Sequence, residues 1–389
     1  MPGCWLWGAF CSWPPPPSLR SDFFYYWVAG WMLLSGISPH DPDAWPIVYR
    51  DLTGAVSVDH AFPYPPWTVL PVLPLALLDP AWAATLWLAA SLGALGAAAL
   101  SVLRDVPPDR HLHATGIGAL ALAGFAPLVE ALFFGQLSPL LAAALLGACA
   151  LARSSRQNLA AALPAALLLK PQLGLVVLPA TFLYLLCRGN RRATAALCLS
   201  CLGIVLLSAP WIPAWILYLE ASLRTNAVDA ARTPTVYGFA LLLERSVGAV
   251  AAAAAVLLLA IAVLGPLAAL FRQPSRGGGG LASILRGAIP ASLVITPYLW
   301  TYDLSLLLAC MLPACRDLLA KPGRTALVSA WALAAGSAAL SWLLVVLVAV
   351  YRCETPSLAL PVFFATVAWP AVFRRSEGQP ELPAPGRAA

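Results

Sequence analysis

One lysine stands in the middle of an apolar run of the sequence. Lys170 lies in the segment ALLLKPQLGLVV, with apolar residues on both sides. If this segment lies in a membrane, an ammonium group there costs about 2.5–3.5 kcal/mol and is expected to have a partner or to face a cavity. Pro171 breaks the helix at this point, because proline lacks the backbone N–H and clashes with the preceding turn. A cation at a broken helix suits a phosphate group, whereas the alternative is a lysine that reaches to the membrane surface.

Two aspartates stand at the heads of apolar segments elsewhere in the chain. Asp22 begins DFFYYWVAGWMLL, where its carboxylate could cap a helix or act as a general base toward a hydroxyl group. Asp303 lies in YLWTYDLSLLL and could cap residues 303–319 or supply a second carboxylate to a cavity. Tyr302 and the aromatic residues before it favour either a belt at the membrane interface or a surface on which a sugar stacks.

The patterns that usually mark a metal or cofactor site are absent or out of context. No HExxH motif and no pair of CxxC motifs occurs. Cys198 and Cys201 have CxxC spacing, but they lie within AALCLSCLGIVLL, which is typical of a spanning helix. The DxD pattern at residues 41–43 needs a nucleotide-sugar-binding α/β domain, and no polar stretch is long enough for one. The sequence therefore predicts neither a metal nor another cofactor.

The composition places these residues in a membrane protein. Of the 389 residues, 61% are hydrophobic and only 10% are charged. Soluble domains have roughly 45–50% apolar and about 25% charged residues, so the excess apolar surface must face lipid. The net charge is +6, and the basic residues follow the pattern of membrane topology, so we expect no nucleic-acid partner.

The apolar runs predict an all-α, polytopic transmembrane protein. Since a spanning helix needs roughly 17–25 residues, about 10–12 membrane helices are expected. The long runs are 81–103, 112–132, 137–153, 193–210, 248–271, 326–350 and 357–373. Shorter or interrupted runs are 66–78, 158–169, 173–187, 287–300 and 303–319. A helix within the membrane breaks only where other protein groups or a water-filled cavity provide hydrogen bonds to its backbone. The interrupted runs are therefore the first places to look for a site.

One orientation of the chain puts every basic cluster on the cytoplasmic side, as the positive-inside rule requires. In this orientation 66–78 dips into the membrane and returns, and the loops 38–63 and 211–235 face outward. The candidate polar residues then share the extracytoplasmic side. Asp22 is the expected base and Lys170 the expected phosphate ligand. Glu130 is a possible partner of Lys170, and the residues expected to line the same cavity are Tyr64, Gln136, Gln172, Tyr302 and Asp303.

We expect the chain to divide into an N-terminal segment, a membrane domain and a C-terminal tail. Residues 1–19 form an N-terminal segment that could be a truncated first membrane helix. Residues 20–375 form the integral membrane domain, and residues 376–389 are a polar, proline-rich cytoplasmic tail expected to be disordered.

Five short motifs in order resemble glycosyltransferase family 87, a family of bacterial membrane enzymes. They are Asp22 with its helix and SGISPHDP, FPYPP at 62–66, GQLSPLL at 135–141, LLLKPQ at 167–172 and TYDLSLLL at 301–308. Together they cover about residues 20–320. The chain departs from the family in two ways: the first spanning helix is missing or very short, and Ser138 stands where the family often has Asn.

The resemblance implies a C-type glycosyltransferase architecture, a location in the bacterial inner membrane and an extracytoplasmic active site. It implies transfer of a hexose, often mannose, from a polyprenyl-phosphate-sugar donor to a lipid or glycan acceptor, as in enzymes that elongate phosphatidylinositol mannosides. It also implies that Asp22 is the general base. The alternative is a polytopic transporter or lipid-binding membrane protein without transferase activity, for which paired repeats with broken helices would be typical.

Overall fold

The computed structural model describes residues 22–53, 61–224, 233–272 and 280–368, in which every regular element is helical. The predicted N-terminal segment 1–19 and tail 376–389 lie outside the described residues. Among the described residues, the all-α fold class expected from the sequence is confirmed.

Sixteen α-helices follow one another along the described part of the chain. They are α1 (Phe23–Leu34), α2 (Ala44–Thr53), α3 (Pro80–Leu103), α4 (His111–Gly124), α5 (Ala126–Phe133), α6 (Ser138–Leu151), α7 (Gln157–Ala162), α8 (Val177–Cys187), α9 (Arg191–Leu207), α10 (Ile212–Arg224), α11 (Val236–Val247), α12 (Ala249–Arg272), α13 (Gly280–Ile295), α14 (Leu308–Leu319), α15 (Arg324–Tyr351) and α16 (Ala359–Phe363). Short 3₁₀ segments connect them at Pro66–Val69, Leu75–Leu77, Pro108–Arg110, Leu163–Leu169, Pro171–Gly174, Ala209–Trp211, Thr301–Leu307 and Thr355–Leu358, and a π-helical turn follows at Phe364–Ala368.

Two helices, α3 and α15, are long and apolar enough to cross a membrane by themselves. Among the described residues, two bent pairs also reach that length if each is one span: Pro108–Gly124 with Ala126–Phe133, and Arg191–Leu207 with Ala209–Glu220. The other apolar helices enter this comparison with 10–17 residues, among them residues 249–265 of α12. The structure thus gives two to four candidate spans by length and composition, and the larger number expected from the sequence stays a prediction.

The predicted span 112–132 is not one straight helix. Phe125 has an extended backbone, and the chain turns by 54° between α4 and α5. The backbone groups released at the bend find partners on α15: Trp342 donates to the Gly124 carbonyl at 2.9 Å, and the Ala126 N–H donates to Ser341 Oγ at 3.1 Å. A helix can break in an apolar environment only when neighbouring groups make hydrogen bonds to the backbone N–H and C=O groups that the break frees.

Capping residues set the start of α3, one of the two helices long enough to span a membrane alone. Asp79 precedes α3 and accepts a hydrogen bond from the Ala81 N–H at 2.9 Å, and Pro80 is the first residue of the helix. An aspartate at the cap followed by proline is a typical helix start, because proline has no N–H to leave unsatisfied. The predicted dip at 66–78 ends just before this cap and consists of two 3₁₀ segments.

Two apolar clusters form the interior. A large one joins α3 to α9 with α13, α14 and α15. A smaller, aromatic one joins α1 and α2 with the segment around Tyr64 and the start of α3. Leu169 packs against both clusters. Lys170, the next residue, therefore lies where the two clusters meet.

Large apolar side chains cover the outside of the long helices. Leu100 is 68% exposed on α3, and Val346 and Val350 are 56% and 69% exposed on α15. Continuous apolar surface of this kind is unfavourable in water and suits lipid. The outward faces of these helices therefore belong against the bilayer.

The predicted orientation can be tested at two exposed arginines. We expect Arg50→Cys on α2 to react with a membrane-impermeant thiol reagent in intact cells, and Arg191→Cys at the start of α9 to react only after the cells are opened. The background should lack the nine native cysteines. The reverse labelling pattern would contradict the assignment of the outer side.

Candidate functional site

Lys170 lies at a break between two 3₁₀ segments. The segment Leu163–Leu169 ends before it and Pro171–Gly174 begins after it, and its own backbone is non-helical with φ −132° and ψ 78°. Trp67 and Thr68 donate to the carbonyls of Leu168 and Leu169, both at 2.7 Å. The two residues that follow the FPYPP motif thus donate hydrogen bonds to carbonyls next to the break, so the break predicted at Pro171 is present and is stabilised by a distant part of the chain.

The ammonium of Lys170 is completely buried and has three polar partners. It lies 2.8 Å from Asp303 Oδ1, 2.8 Å from Gln136 Oε1 and 3.4 Å from Ser138 Oγ. The interpretation of Lys170 as a lysine that reaches to the membrane surface is therefore wrong, since its side chain is 0% exposed.

The predicted pairing of Lys170 with Glu130 is also wrong. Its counter-ion is Asp303, and Glu130 lies on α5 with Oε2 buried and without a hydrogen-bond partner among the described residues. The difference arises because the 3₁₀ segment Thr301–Leu307, rather than α5, presents the carboxylate that reaches the ammonium.

Two tyrosine rings flank the ammonium. The centroid of Tyr302 lies 4.9 Å from Nζ and that of Tyr64 lies 5.6 Å away, both within the distance of a cation–π interaction. The carbonyl of Tyr64 accepts a hydrogen bond from His40 Nε2 at 2.7 Å. Burial lowers the pKa of His40 to about 4, so its imidazole is neutral at pH 7 and Nε2 carries the proton that it donates.

Gln136 connects Lys170 to Asp22. Its Oε1 accepts from Lys170 at 2.8 Å and from the Tyr26 hydroxyl at 3.1 Å, and its Nε2 donates to Asp22 Oδ2. Lysine has only donors and a carboxylate only acceptors, so the two neighbours fix the orientation of the amide. We call Asp22, Gln136, Ser138, Lys170 and Asp303 the buried network.

Asp22 does not cap the helix that it precedes. It occupies the position before α1, but its side chain makes no capping hydrogen bond. One oxygen accepts from Gln136, and Oδ1 has no hydrogen-bond partner among the residues that the structure describes. The side chain is half-buried. The capping interpretation is therefore wrong, and the carboxylate keeps one oxygen available for a ligand.

Asp303 makes a hydrogen bond at the start of a 3₁₀ segment and also an ion pair with Lys170. Oδ2 accepts from the Trp300 N–H at 3.3 Å and so stabilises the start of the segment Thr301–Leu307. Oδ1 accepts from Lys170 and from the Ser138 hydroxyl. Its side chain is 1% exposed, so Asp303 completes the buried network and does not line an open cavity.

Comparison with known families decides the class of this protein. Residues 62–297, more than half of the chain, match the family model described as glycosyltransferase family 87. The chain belongs to glycosyltransferase family 87. No curated protein and no solved structure matches it. With its apolar helices, this family 87 protein is an integral membrane glycosyltransferase.

The family match covers only part of the buried network. Gln136, Ser138 and Lys170 lie within the matched residues, whereas Asp22 and Asp303 lie outside them. The geometry joins the two groups: Gln136 contacts Asp22, and Lys170 contacts Asp303. These contacts, rather than the family match, connect Asp22 to this site.

Gln172 is not part of the buried network of this family 87 enzyme. It lies two residues after Lys170 in the segment Pro171–Gly174, is half-buried, and makes no hydrogen bond to the network among the described residues.

Tyr298 accepts a hydrogen bond from Trp300 Nε1 at 2.8 Å, so these two aromatic residues form a unit beside Tyr302. Whether they stack against a sugar stays a prediction.

Two residues of the site were missed at the sequence level. Tyr26 contacts Gln136 and stands four residues after Asp22, a spacing that places two side chains on one face of a helix. Glu354 accepts from the Thr301 N–H at 2.7 Å and from the Thr301 hydroxyl at 2.9 Å. Glu354 is 53 residues from Thr301 in sequence, and no local pattern could have revealed that it holds the segment that carries Asp303.

We expect Glu354 to make this family 87 enzyme more stable at low pH. Burial raises the pKa of Glu354 in the loop after α15 to about 7. The folded chain therefore holds this proton more tightly than the unfolded chain, so its contribution to stability falls as the pH rises from about 4.5 to 7. Thermal unfolding in detergent at pH 5 and pH 8 should show a drop at pH 8 that Glu354→Gln reduces.

Glu244→Gln is the matched control, since Glu244 lies on α11 and is exposed. If Glu354→Gln and Glu244→Gln leave the same pH dependence as the unmodified chain, Glu354 does not titrate as described.

Proposed function

We propose that this membrane glycosyltransferase moves a hexose from a polyprenyl-phosphate-sugar donor to a lipid or glycan acceptor, with mannose as the first candidate sugar. The reaction inverts the anomeric configuration and takes place at the extracytoplasmic face of a bacterial inner membrane. Asp22 is the general base. The family supplies the reaction class, and the donor, the sugar and the role of Asp22 are the proposed parts.

The observation that carries the proposal is the environment of Asp22. Its carboxylate is held by Gln136 on one oxygen, has no partner on the other among the described residues, and is half-buried. A base must be within hydrogen-bond reach of the proton that it removes. An acceptor hydroxyl that binds Asp22 Oδ1 displaces no contact from the part of the chain that the structure describes, whereas Asp303 is enclosed and paired with Lys170.

The proposed chemical step is a single displacement. Asp22 removes the proton of the acceptor hydroxyl as the hydroxyl oxygen forms a bond to the anomeric carbon of the donor. The bond between that carbon and the donor phosphate oxygen breaks at the same time, and the phosphate leaves with the electron pair. Attack and departure on opposite faces of the carbon produce inversion.

Lys170 has two proposed roles. As a ligand of the donor phosphate, it would have to exchange one of its acceptors, since Asp303, Gln136 and Ser138 already surround the buried ammonium. As an orienting cation, it needs no movement: it fixes the Gln136 amide, which in turn holds Asp22. The network also contains two carboxylates against one ammonium, and an excess of negative charge opposes a direct contact with phosphate. The second role therefore fits the structure better.

The aromatic residues near Lys170 support a sugar site. The Tyr64 and Tyr302 rings both lie within 6 Å of the ammonium, at 5.6 and 4.9 Å, and the Tyr26 ring centroid lies 5.5 Å from that of Tyr64. Aromatic rings with hydroxyl groups combine apolar surface with a polar edge. We propose that Tyr64 and Tyr302, with Gln136, form the inner wall of the donor-sugar site, and that Gln172 borders it.

The decisive experiment is a transfer assay with purified protein. The chain in detergent is incubated with labelled polyprenyl-phosphate-mannose and a membrane lipid extract, and the product is sought as a labelled glycolipid. Formation of product that requires the protein supports the proposal. A transporter or lipid-binding protein would release no labelled glycolipid in detergent, where no compartment exists, and that result would favour the alternative function.

A further inference from the structure

A buried histidine lies next to the segment that carries Tyr64. His40 is 1% exposed, and its ring contacts those of Phe62 and Tyr218 edge to face, with centroids 5.8 and 5.3 Å away. The proposed reaction leaves this side chain without a role. A buried imidazole loses its hydrogen bonds to water, so the contacts that replace them indicate what the histidine does.

The imidazole of His40 is bonded to the main chain of Tyr64. Its Nε2 donates to the Tyr64 carbonyl at 2.7 Å, whereas Nδ1 is buried and has no hydrogen-bond partner among the described residues. An unsatisfied buried nitrogen is unfavourable, and packing between two aromatic rings does not require a polar ring. The contact that distinguishes histidine from phenylalanine at this position is therefore the one to the Tyr64 carbonyl.

Tyr64 lies in an irregular segment between two prolines. Residues 61–65 form no helix, and a proline on either side of Tyr64 leaves no backbone N–H there to donate. The loop before α2 holds this segment at two points: Phe62 N–H donates to the Pro39 carbonyl at 3.1 Å, and His40 donates to the Tyr64 carbonyl. Without the second hydrogen bond, the main chain that carries the Tyr64 ring loses a fixed point.

The position of the Tyr64 ring matters to the buried network. Its centroid lies 5.6 Å from Nζ of Lys170 and 5.5 Å from the ring centroid of Tyr26. The Tyr26 hydroxyl in turn donates to Gln136. Cation–π contacts extend to about 6 Å and ring pairs to about 7 Å, so a small displacement of the Tyr64 main chain weakens both contacts.

We propose that His40 is a positioning residue for the donor sugar. Through the Tyr64 carbonyl it holds the Tyr64 ring beside the ammonium of Lys170, as part of the inner wall of the donor-sugar site. The inference rests on the proposed function, in which Tyr64 forms that wall. His40 itself touches neither the donor nor the acceptor, and no proton of the reaction passes through it.

Steady-state kinetics of the purified protein test the inference, with polyprenyl-phosphate-mannose as the donor. His40→Phe keeps an aromatic ring against Phe62 and Tyr218 but has no N–H. We expect it to raise the KM for the donor about tenfold, the effect of one buried acceptor left unpaired, while the KM for the acceptor stays unchanged. His40→Gln can place an amide N–H near the position of Nε2 and should restore most of the lost donor affinity.

His111→Phe is the matched control. His111 at the start of α4 also directs its Nε2 to a backbone carbonyl, that of Val106 at 3.0 Å, but it lies outside the site. This variant should keep both KM values of the unmodified chain. A purely structural role of His40 would lower the unfolding temperature and the amount of active protein, and hence kcat, without raising the KM for the donor.

An unchanged donor KM in folded, active His40→Phe would overturn the inference alone, because transfer by that variant still supports the proposed function. An equal rise in His40→Phe and His40→Gln would also overturn it, since the N–H would then be irrelevant. Absence of transfer by the unmodified chain would contradict the proposed function and the inference with it. If His40→Phe does not fold, His40→Asn replaces it, because its shorter amide does not reach the Tyr64 carbonyl; equal donor KM values for His40→Asn and His40→Gln would overturn the inference.

Discussion

Asp22→Asn is expected to reduce turnover by about 10²–10⁴-fold, the usual contribution of a general base. Asparagine has nearly the same shape and can still accept the hydrogen bond that Gln136 Nε2 donates. Its amide cannot take a proton from a hydroxyl group at neutral pH. The fold should therefore survive while the chemical step fails, and the rate is measured at saturating donor and acceptor.

The control for Asp22→Asn is an exposed aspartate outside the buried network. Asp43 is exposed and lies just before α2, and Asp43→Asn should retain full turnover. Thermal unfolding of both variants shows whether any loss of rate comes from loss of structure. A folded, fully active Asp22→Asn variant would contradict the role of Asp22 and move the search to another carboxylate.

The sequence located the elements of the buried network better than their pairing. Polar residues are rare in apolar runs, so Lys170, Gln136 and Asp303 stand out, and the alternation of basic clusters predicts a common side for them. Which carboxylate reaches the lysine depends on how separate helices pack. The 3₁₀ segment that carries Asp303 lies 133 residues from Lys170, and nothing local distinguishes it from α5, which carries Glu130.

Long-range packing also explains why the predictions for the span 112–132 and for Asp22 as a helix cap were wrong. The break at Pro171 follows from the chemistry of proline and was predicted, whereas the bend at Phe125 depends on Ser341 and Trp342 of α15. Asp22 has the sequence of a helix cap, but Gln136 competes for its carboxylate. The local sequence predicts where the helices lie. The hydrogen-bond partners of the polar residues between the helices depend on residues that are distant in sequence.

Lys170→Met is expected to destabilise the protein strongly, because it leaves Asp303 buried without its counter-ion. Removing one partner of a buried ion pair typically costs about 3–5 kcal/mol. Replacing both partners is far less costly, since no uncompensated charge remains. We therefore expect Lys170→Met/Asp303→Asn to unfold at a temperature closer to that of the unmodified chain than Lys170→Met alone. Asparagine keeps an acceptor for the Trp300 N–H.

The matched control for Lys170→Met is the only other lysine. Lys321 lies in the turn between α14 and α15 and is half-buried. Lys321→Met removes the same charge from a position outside the network and should leave both stability and turnover near those of the unmodified chain. A destabilisation by Lys321→Met as large as that by Lys170→Met would mean that the loss of charge, not the loss of the ion pair, causes the effect.

Kinetics of the double variant separate the two roles proposed for Lys170. If Lys170 orients Gln136 and through it Asp22, the folded double variant should lose kcat while its KM for the donor stays nearly constant, since the base is misplaced and the donor contacts remain. If Lys170 binds the donor phosphate, the KM for the donor should rise, because a charge-assisted contact of that kind contributes to binding. We expect the first result, because the ammonium already has three acceptors and Gln136 connects it to Asp22, the proposed base.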